Sequence, residues 1–492
     1  MSWSSAWKNP TPPARYQLLV VGGGPAGVAA AQEAARRGAK VALIERRLLG
    51  GTCLNEGCIP SKTLIRTSRL YREMRDAERF GARVPDGVVV DFGAAMERVR
   101  SVRARLTERD TAEGLVAMGI DLYFGEARFA GPAAVTVGSQ RLSFDKALIA
   151  TGARPVRPAI PGLEEAGYLT YETVFDLRDC PKRLLVLGGG PTGCELAQAF
   201  ARLGARVTLV QTEPMFLSQE ERDAAQLLSD ALARDGIEIH LDTQTTGVRT
   251  AGGEKLAELS SAGHAFTVTV DEILVGVGTV PNVDALNLEA AGVTYDAERG
   301  IVVDDFLRTS NRNIFSAGDV CTENKFPHFE STAGRIVVAN ALFWGRQRLS
   351  AEAIPWCTFT DPEIAHVGMY VTEARQRNIP VKTFTTLMHE VDRAITDGEE
   401  EGFVKLHVRD GTAKILGATV VARHAGDLIN EISLAMSTGL DLHALSRVNQ
   451  PYPTQSQAIK MAADAYVQAL PNGHTGWLTT KRLRQRLFAL LG

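Results

Sequence analysis

The chemistry in this sequence centres on two cysteines, Cys53 and Cys58, in the run Gly50-Gly51-Thr52-Cys53-Leu54-Asn55-Glu56-Gly57-Cys58-Ile59-Pro60-Ser61-Lys62. A close pair of thiols can cycle between reduced and oxidised states or hold a soft metal. The other four cysteines, Cys180, Cys194, Cys321 and Cys357, are scattered singly, and each reads as a small buried hydrophobe. Six cysteines in 492 residues do not make a disulfide scaffold. The pattern suits a reducing compartment in which one pair does redox work. A structural metal site is the poorer reading, since no second cysteine pair or close histidine completes four ligands.

The elements that must position this pair repeat. Tyr16-Gln-Leu-Leu-Val-Val-Gly22-Gly-Gly24-Pro-Ala-Gly27 runs into an Ala-rich helical stretch and then Lys40-Val-Ala-Leu-Ile-Glu45. Arg183-Leu-Leu-Val-Leu-Gly188-Gly-Gly190-Pro-Thr-Gly193 runs into a second helical stretch and then Arg206-Val-Thr-Leu-Val-Gln211. Each is a short apolar strand, a glycine turn, a helix and another apolar strand, which is a βαβ dinucleotide-binding unit. The glycines permit the tight turn and let backbone N–H groups approach a pyrophosphate at the helix N-terminus. One such motif is weak evidence; two in the same local context are strong.

The residue closing each unit discriminates between dinucleotides. Glu45 offers a carboxylate to ribose hydroxyls and repels a 2′-phosphate, so FAD or NAD fits there and NADP does not. Gln211 is neutral; Glu213 nearby disfavours a 2′-phosphate, and no arginine follows closely to bind one. Gln211 alone leaves NADH against NADPH open. Two further strands end in turns: Ala147-Leu-Ile-Ala150-Thr151-Gly152, and Ile314-Phe-Ser-Ala317-Gly318-Asp319, whose end carries an acid.

With the cysteine run between these units, the sequence resembles the class I pyridine nucleotide–disulfide oxidoreductases, from about Tyr16 to Tyr466. The resemblance implies two Rossmann-like dinucleotide-binding domains plus a C-terminal α+β dimerisation domain, as in glutathione reductase. It implies FAD held by Gly22, Gly24, Gly27, Glu45, Gly51, Thr52, Thr151, Gly152 and Asp319. NADPH or NADH is then held by Gly188, Gly190, Gly193, Gln211 and Gly278. Cys58 is expected to face the flavin as thiolate and Cys53 to attack the acceptor; Lys62 lies beside the flavin, with Glu195 as its partner. Five residues of helix rise about 7.5 Å, while bridged cysteines need Cα atoms within about 4.4–6.8 Å. A Cys53–Cys58 bridge therefore requires a distorted turn, which Asn55 and Gly57 can supply.

The family pattern breaks near the C-terminus. Disulfide-reducing members carry a His-Pro-Thr segment with a glutamate five residues after the histidine, supplied by the partner subunit. Here the stretch is Asn449-Gln-Pro-Tyr452-Pro453-Thr454-Gln-Ser-Gln457. Tyr452 replaces the histidine and Gln457 the glutamate. Histidine titrates near pH 6.5 and tyrosine near 10, so Tyr452 is a poor proton shuttle at neutral pH. The Pro-Tyr-x-Thr arrangement is similar to the mercuric reductase branch, although no cysteine follows Cys357 to deliver the metal. The expectation is the catalytic core of that branch without its metal-delivery parts. The acceptor is read as a soft-metal ion of the Hg(II) kind or a small disulfide. Alternatives are a quinone or diaphorase-type reductase, a dihydrolipoyl dehydrogenase-like activity, and a low-turnover FAD-containing regulatory protein.

The bulk properties agree. At this length two to four domains are expected, and a net charge of -3 gives no electrostatic reason to expect nucleic acid. The expected layout is a flexible N-terminus over 1–15 and an FAD domain over 16–153 and 275–347. An NAD(P)H domain follows over 154–274, then an interface domain over 348–470 and a basic amphipathic tail over 471–492. With neither a signal peptide nor an apolar run of about eighteen residues, the chain reads as cytoplasmic; the family resemblance implies a homodimer. The tail, rich in Lys481, Arg482, Arg484 and Arg486 among apolar residues, reads as a packed or frayed terminal helix. Weak contact with an anionic membrane surface is its sharper alternative.

Overall fold

A computed structural model of the chain describes residues 7–84, 89–322 and 327–470; the expected amphipathic tail lies outside them. The described residues form two compact units. The first holds the chain up to Ser218 together with Leu232–Glu352, and the second holds Gln219–Ala231 with the residues from Ala353 onward.

In the first unit, β1 (Tyr16–Val21), α1 (Pro25–Arg36) and β2 (Val41–Glu45) form the first βαβ crossover. Then come α2 (Gly51–Asn55), α3 (Cys58–Arg75), α4 (Phe92–Thr107) and α5 (Ala112–Ala117). The sheet adds β3 (Ile120–Phe124), β4 (Ala127–Phe129), β5 (Ala134–Val137) and β6 (Gln140–Ile149). Its order is β3-β2-β1-β6-β5-β4. The β3, β2, β1 and β6 neighbours are parallel, and β4 and β5 return antiparallel. The parallel strands are nearly continuous apolar runs because both faces are covered, one by helices and the other by β4, β5 and residues 283–301. Leu18, Val20, Leu43 and Leu148 fill one side with α1; Leu19, Ile44, Phe144 and Ile149 fill the other.

The chain continues through β7 (Ala153–Pro155) and α6 (Leu163–Ala166) into a repeat of the same plan: β8 (Arg183–Leu187), α7 (Pro191–Arg202) and β9 (Arg206–Val210). Helix α8 (Arg222–Arg234) leads to β10 (Glu238–His240). An antiparallel meander follows, β11 (Thr243–Ala251), β12 (Glu254–Ser261) and β13 (His264–Val270), before β14 (Glu272–Val275). The parallel order is β10-β9-β8-β14. Strand β15 (Thr279–Pro281) pairs antiparallel with β7. After α9 (Leu288–Ala291), β16 (Tyr295–Asp296) and β17 (Gly300–Ile301), β18 (Ile314–Ser316) returns to the first sheet beside β6, and α10 (Pro327–Leu342) packs on α1.

The second unit is a five-stranded antiparallel sheet of β19 (Pro355–Thr358), β20 (Glu363–Gly368), β21 (Val381–Leu387), β22 (Phe403–Arg409) and β23 (Ile415–Ala422), in the order β19-β20-β23-β22-β21. Helices cover it, chiefly residues 425–438 and 457–468, burying Val404, Leu406, Val420, Ile432 and Ile459. The sequence places 219–231 in the nucleotide domain; in the structure this segment groups with the C-terminal sheet. Its acids explain the grouping. Glu220 accepts hydrogen bonds from Trp356 Nε1 at 2.8 Å and the Tyr370 hydroxyl at 2.6 Å. Glu221 meets Lys405 Nζ at 3.0 Å and His407 Nε2 at 3.3 Å.

Candidate redox-active site

Cys53 sits in α2 and Cys58 is the first residue of α3, with the helical path broken between them. The break falls at Glu56 and at Gly57, whose φ of -122° and ψ of -104° lie outside the helical region. A Cβ on Gly57 would stand 3.2 Å from the Thr52 carbonyl oxygen. Asn55 fastens the turn, its Nδ2 donating to the carbonyls of Leu49 (2.9 Å) and Gly51 (2.8 Å). Asn55 and Gly57 thus shape the break in the helical path between the two cysteines. The pair stands here as two free thiols, the reduced state of such a couple.

Their environments differ. The Cys58 thiol is lowered to about 7, first by the hydrogen bond from the Cys53 thiol and further by the charge of Lys62, against the opposing effect of burial. Its place at the start of an eighteen-residue helix also favours the anion. Cys53 is pushed the other way, by donating that hydrogen bond and by burial. One proton therefore rests on Cys53, leaving Cys58 as the thiolate. Lys62, one turn further along α3, meets Glu195 of α7 at 2.9 Å, so two residues far apart in sequence come together at the pair.

Around these groups the glycine turns are built to one plan. In the first unit, Gly22 and Gly24 shape the loop after β1, and a Cβ on Gly27 would lie 1.8 Å from the Gly22 carbonyl oxygen. Gly51 has φ of +60°, and its Cβ would come within 2.7 Å of the Gly24 Cα. Glu45 reaches back into the loop, accepting the Gly23 N–H at 2.7 Å and the Arg47 N–H at 2.6 Å. In the second βαβ crossover, also in the first unit, Gly188, Gly190 and Gly193 repeat the turn, and Gln211 Oε1 accepts the Gly189 N–H at 2.7 Å. No side chain among the described residues caps the N-terminus of α1 or α7, so the first N–H groups of each helix are left for an anion such as a pyrophosphate. This arrangement fits a dinucleotide at each turn. Thr151 and Gly152 follow β6, the Thr151 hydroxyl donating to the Asn282 carbonyl at 2.8 Å. Thr52 lies in α2 beside Cys53, and Gly278 follows β14 with φ of +110°.

The sequence reading missed Glu330, in the first turn of α10. Its Oε2 lies 3.5 Å from the Cβ position of Gly318. Burial raises its carboxyl well above the usual range, and the adjacent, hydrogen-bonded Asp319 and the charge of Cys58 raise it further. A carboxyl pair sharing a hydrogen bond holds a proton. The sequence signal was an acid in the first turn of the helix that follows the Gly318-Asp319 turn.

Known sequences decide the family. Pyridine nucleotide-disulphide oxidoreductase sequences match residues 16–341, and the dimerisation domain of that family matches 354–463. The chain belongs to this family.

Relatives of this oxidoreductase include a mercuric reductase of Lysinibacillus sphaericus, 35% identical over 91% of this chain and 82% of the relative. A dihydrolipoyl dehydrogenase of Chlamydia trachomatis is 32% identical over 90% of this chain and 95% of its own. Among solved structures, a Cu(II) complex of the HOCl-induced flavoprotein disulfide reductase RclA from Escherichia coli superposes with a TM-score of 0.82. It is 28% identical, covering 92% of this chain and 100% of that one. The family is FAD-dependent and uses NAD(P)H, so this chain is an NAD(P)H-dependent flavin disulfide oxidoreductase. Its dimerisation domain supports a homodimer. Among the described residues no helix is long and apolar enough to cross a membrane.

Tyr452 lies in the second unit of this oxidoreductase, 71% exposed, with its hydroxyl donating to Asp392 Oδ2 at 2.8 Å. That bond raises its pKa above the usual tyrosine value. Gln457 opens the last described helix with a buried Oε1 that no donor reaches among the described residues.

Proposed function

We propose that this enzyme passes the electrons of NAD(P)H through Cys53 and Cys58 to a soft-metal ion of the Hg(II) kind. The observation that carries the reading is the divided thiol pair: a thiolate at Cys58, stabilised by Cys53 and Lys62, with a tyrosine where a proton-donating histidine stands in disulfide-reducing members of the family. A soft cation needs sulfur ligands and two electrons. The leaving thiolate of a disulfide needs a proton as well, and Tyr452, raised above the usual tyrosine range, is a poor donor near pH 7. Similarity to the mercuric reductases supports the same choice.

FAD, when bound, takes hydride from NAD(P)H and supplies two electrons to the sulfur pair. In this reading Gly22, Gly24, Gly27 and Gly51 make room for it, Glu45 binds its ribose hydroxyls and Asp319 its ribityl chain. Thr52, Thr151 and Gly152 border it. Gly188, Gly190, Gly193, Gln211 and Gly278 take the nicotinamide dinucleotide. Lys62, fixed by Glu195, keeps a positive charge beside Cys58. Cys53 gives up its proton as both sulfurs ligate the metal ion. The two electrons of the sulfur pair reduce Hg(II) to Hg(0), leaving Cys53 and Cys58 oxidised as a disulfide, which two further electrons and one proton return to the Cys58 thiolate and the Cys53 thiol. Tyr452 is assigned to the site of the partner protomer.

The test is consumption of NADPH and of NADH by purified enzyme with Hg(II)–thiol complexes, oxidised glutathione and lipoamide in turn. Turnover with Hg(II) that is lost in Cys58→Ser is expected. Turnover with a disulfide but not Hg(II) refutes the metal reading, and quinone reduction that survives both cysteine substitutions would assign a diaphorase instead.

A further inference from the structure

Helices α3 and α7 carry Cys58, Lys62 and Glu195, and they meet along a seam that is charged where helix contacts are ordinarily apolar. Arg69 of α3 and Glu195, Gln198 and Arg202 of α7 are all buried. Glu195, Gln198 and Arg202 share one face of α7, and Lys62, Arg69 and Arg72 share one face of α3. From Lys62 to Arg72 the seam is about 15 Å long.

Its far end converges on one residue outside both helices. Asp235, only 3% exposed, accepts Arg202 Nε at 2.8 Å and Gln198 Nε2 at 2.9 Å on one oxygen, and Arg72 Nη1 at 3.2 Å on the other. Arg75 Nη2 adds a hydrogen bond to the Arg202 carbonyl at 3.0 Å. Both helices are thus tied through one carboxylate.

Burying so many ions adds little net stability, because desolvation offsets most of the attraction, and apolar side chains of similar volume would hold two helices as well. A shared carboxylate does fix register, which apolar packing does less sharply. A slip of one turn, about 5.4 Å, would carry Arg72 off Asp235. The same register sets the 2.9 Å contact of Lys62 with Glu195 and the place of Lys62 one turn from Cys58. We propose that Asp235 is a positioning residue for the redox pair, holding Arg72 and Arg202 on one carboxylate so that α3 and α7 keep Lys62 and Glu195 at Cys58. This rests on reading Cys58 as the reactive thiolate. The charged groups facing that thiol are Cys53 of α2, Lys62 of its own helix, Glu195 of α7, Asp319 after β18 and Glu330 of α10.

The experiment measures the pH profile of iodoacetamide alkylation at Cys58, located by mass spectrometry, in the reduced, FAD-loaded full-length enzyme. Asp235→Asn and Arg72→Gln are compared with Leu115→Ala, a core change in α5 remote from the seam. The two seam variants are expected to raise the midpoint by about 0.5–1 unit, slowing alkylation at pH 6 roughly 3- to 10-fold, while Leu115→Ala lowers only the melting temperature. Arg72 is a third exposed, so Arg72→Gln decides the matter if Asp235→Asn does not fold. Midpoints unmoved in the seam variants, with melting temperatures lowered, overturn the proposal and leave the seam a purely structural contact. A wild-type label landing on Cys53 instead of Cys58 overturns the functional reading of the pair, a failure distinct from that of the seam.

Discussion

Replacing Cys53 by alanine tests how the pair divides its proton. Cys58 is lowered from 9.0 to about 7, which is about a hundredfold in its ionisation equilibrium. The hydrogen bond from Cys53 is the largest cause, Lys62 adds to it, and burial works against both. Cys53→Ala removes the largest favourable contribution and leaves Lys62, so the midpoint should rise by a unit or more, to about 8 or above. At pH 7 the thiolate fraction then falls from about a half to about a tenth, and alkylation of Cys58 slows about 5-fold. The plateau rate at high pH, where every molecule is ionised, should be nearly unchanged. Cys53→Ser keeps a donor and is expected to hold the midpoint closer to 7. The assay is iodoacetamide alkylation of reduced, FAD-loaded enzyme across pH 5.5–10, with the labelled cysteine identified by mass spectrometry. A midpoint that stays near 7 in Cys53→Ala would refute the reasoning and assign the depression to Lys62 and the start of α3.

Three further outcomes are expected. Glu330 has its folded pKa raised, so it costs the folded state stability as pH rises above the ordinary carboxyl range of about 4.3. Glu330→Gln, which keeps a donor toward Asp319, should match wild type in melting temperature at pH 4 and exceed it by about 1–3 °C at pH 8; a lower value at pH 8 counts against the shared proton. Tyr452→His combined with Gln457→Glu should raise turnover with oxidised glutathione or lipoamide at least ~10-fold by restoring an acid–base group, and no gain would mean that proton supply does not limit disulfide exchange. Burial pushes Glu221 up, but His407 and Lys405 hold it down to about 2. Its contribution is therefore present above the ordinary carboxyl range and lost as pH falls toward 2. Glu221→Gln should lower the melting temperature by roughly 5 °C at pH 7 and by less at pH 3, as differential scanning fluorimetry would read.

What could be read from the sequence was whatever the chemistry fixes at short range. The cysteine spacing, the two glycine turns and the strand-end residues Glu45 and Gln211 are local constraints: each turn must be tight, and each strand-end side chain must return to its own loop. The structure shows the two turns built alike, with Glu45 and Gln211 each bonded to the middle glycine of its turn at 2.7 Å. Glu195 was legible through the family motif, although nothing local predicts its contact with a lysine 133 positions away.

The rest depends on tertiary placement that no spacing encodes. Asp235 looks like an ordinary turn acid after α8, yet it gathers charges from two other helices. Glu220 and Glu221 look like the solvated start of α8, yet they bind a sheet that begins more than a hundred residues later. Glu330 looks like a helix-start acid, yet it lies at Asp319. Each is an acid whose sequence neighbours give no reason for burial, and each is held by partners on distant elements. The unread residues are therefore of one kind. Local chemistry sets what the two sulfurs and the glycine turns can do; beyond the hydrogen bond the sulfurs share, Lys62 lowers Cys58, while the tertiary fold brings the distant Glu330 up to raise Cys53.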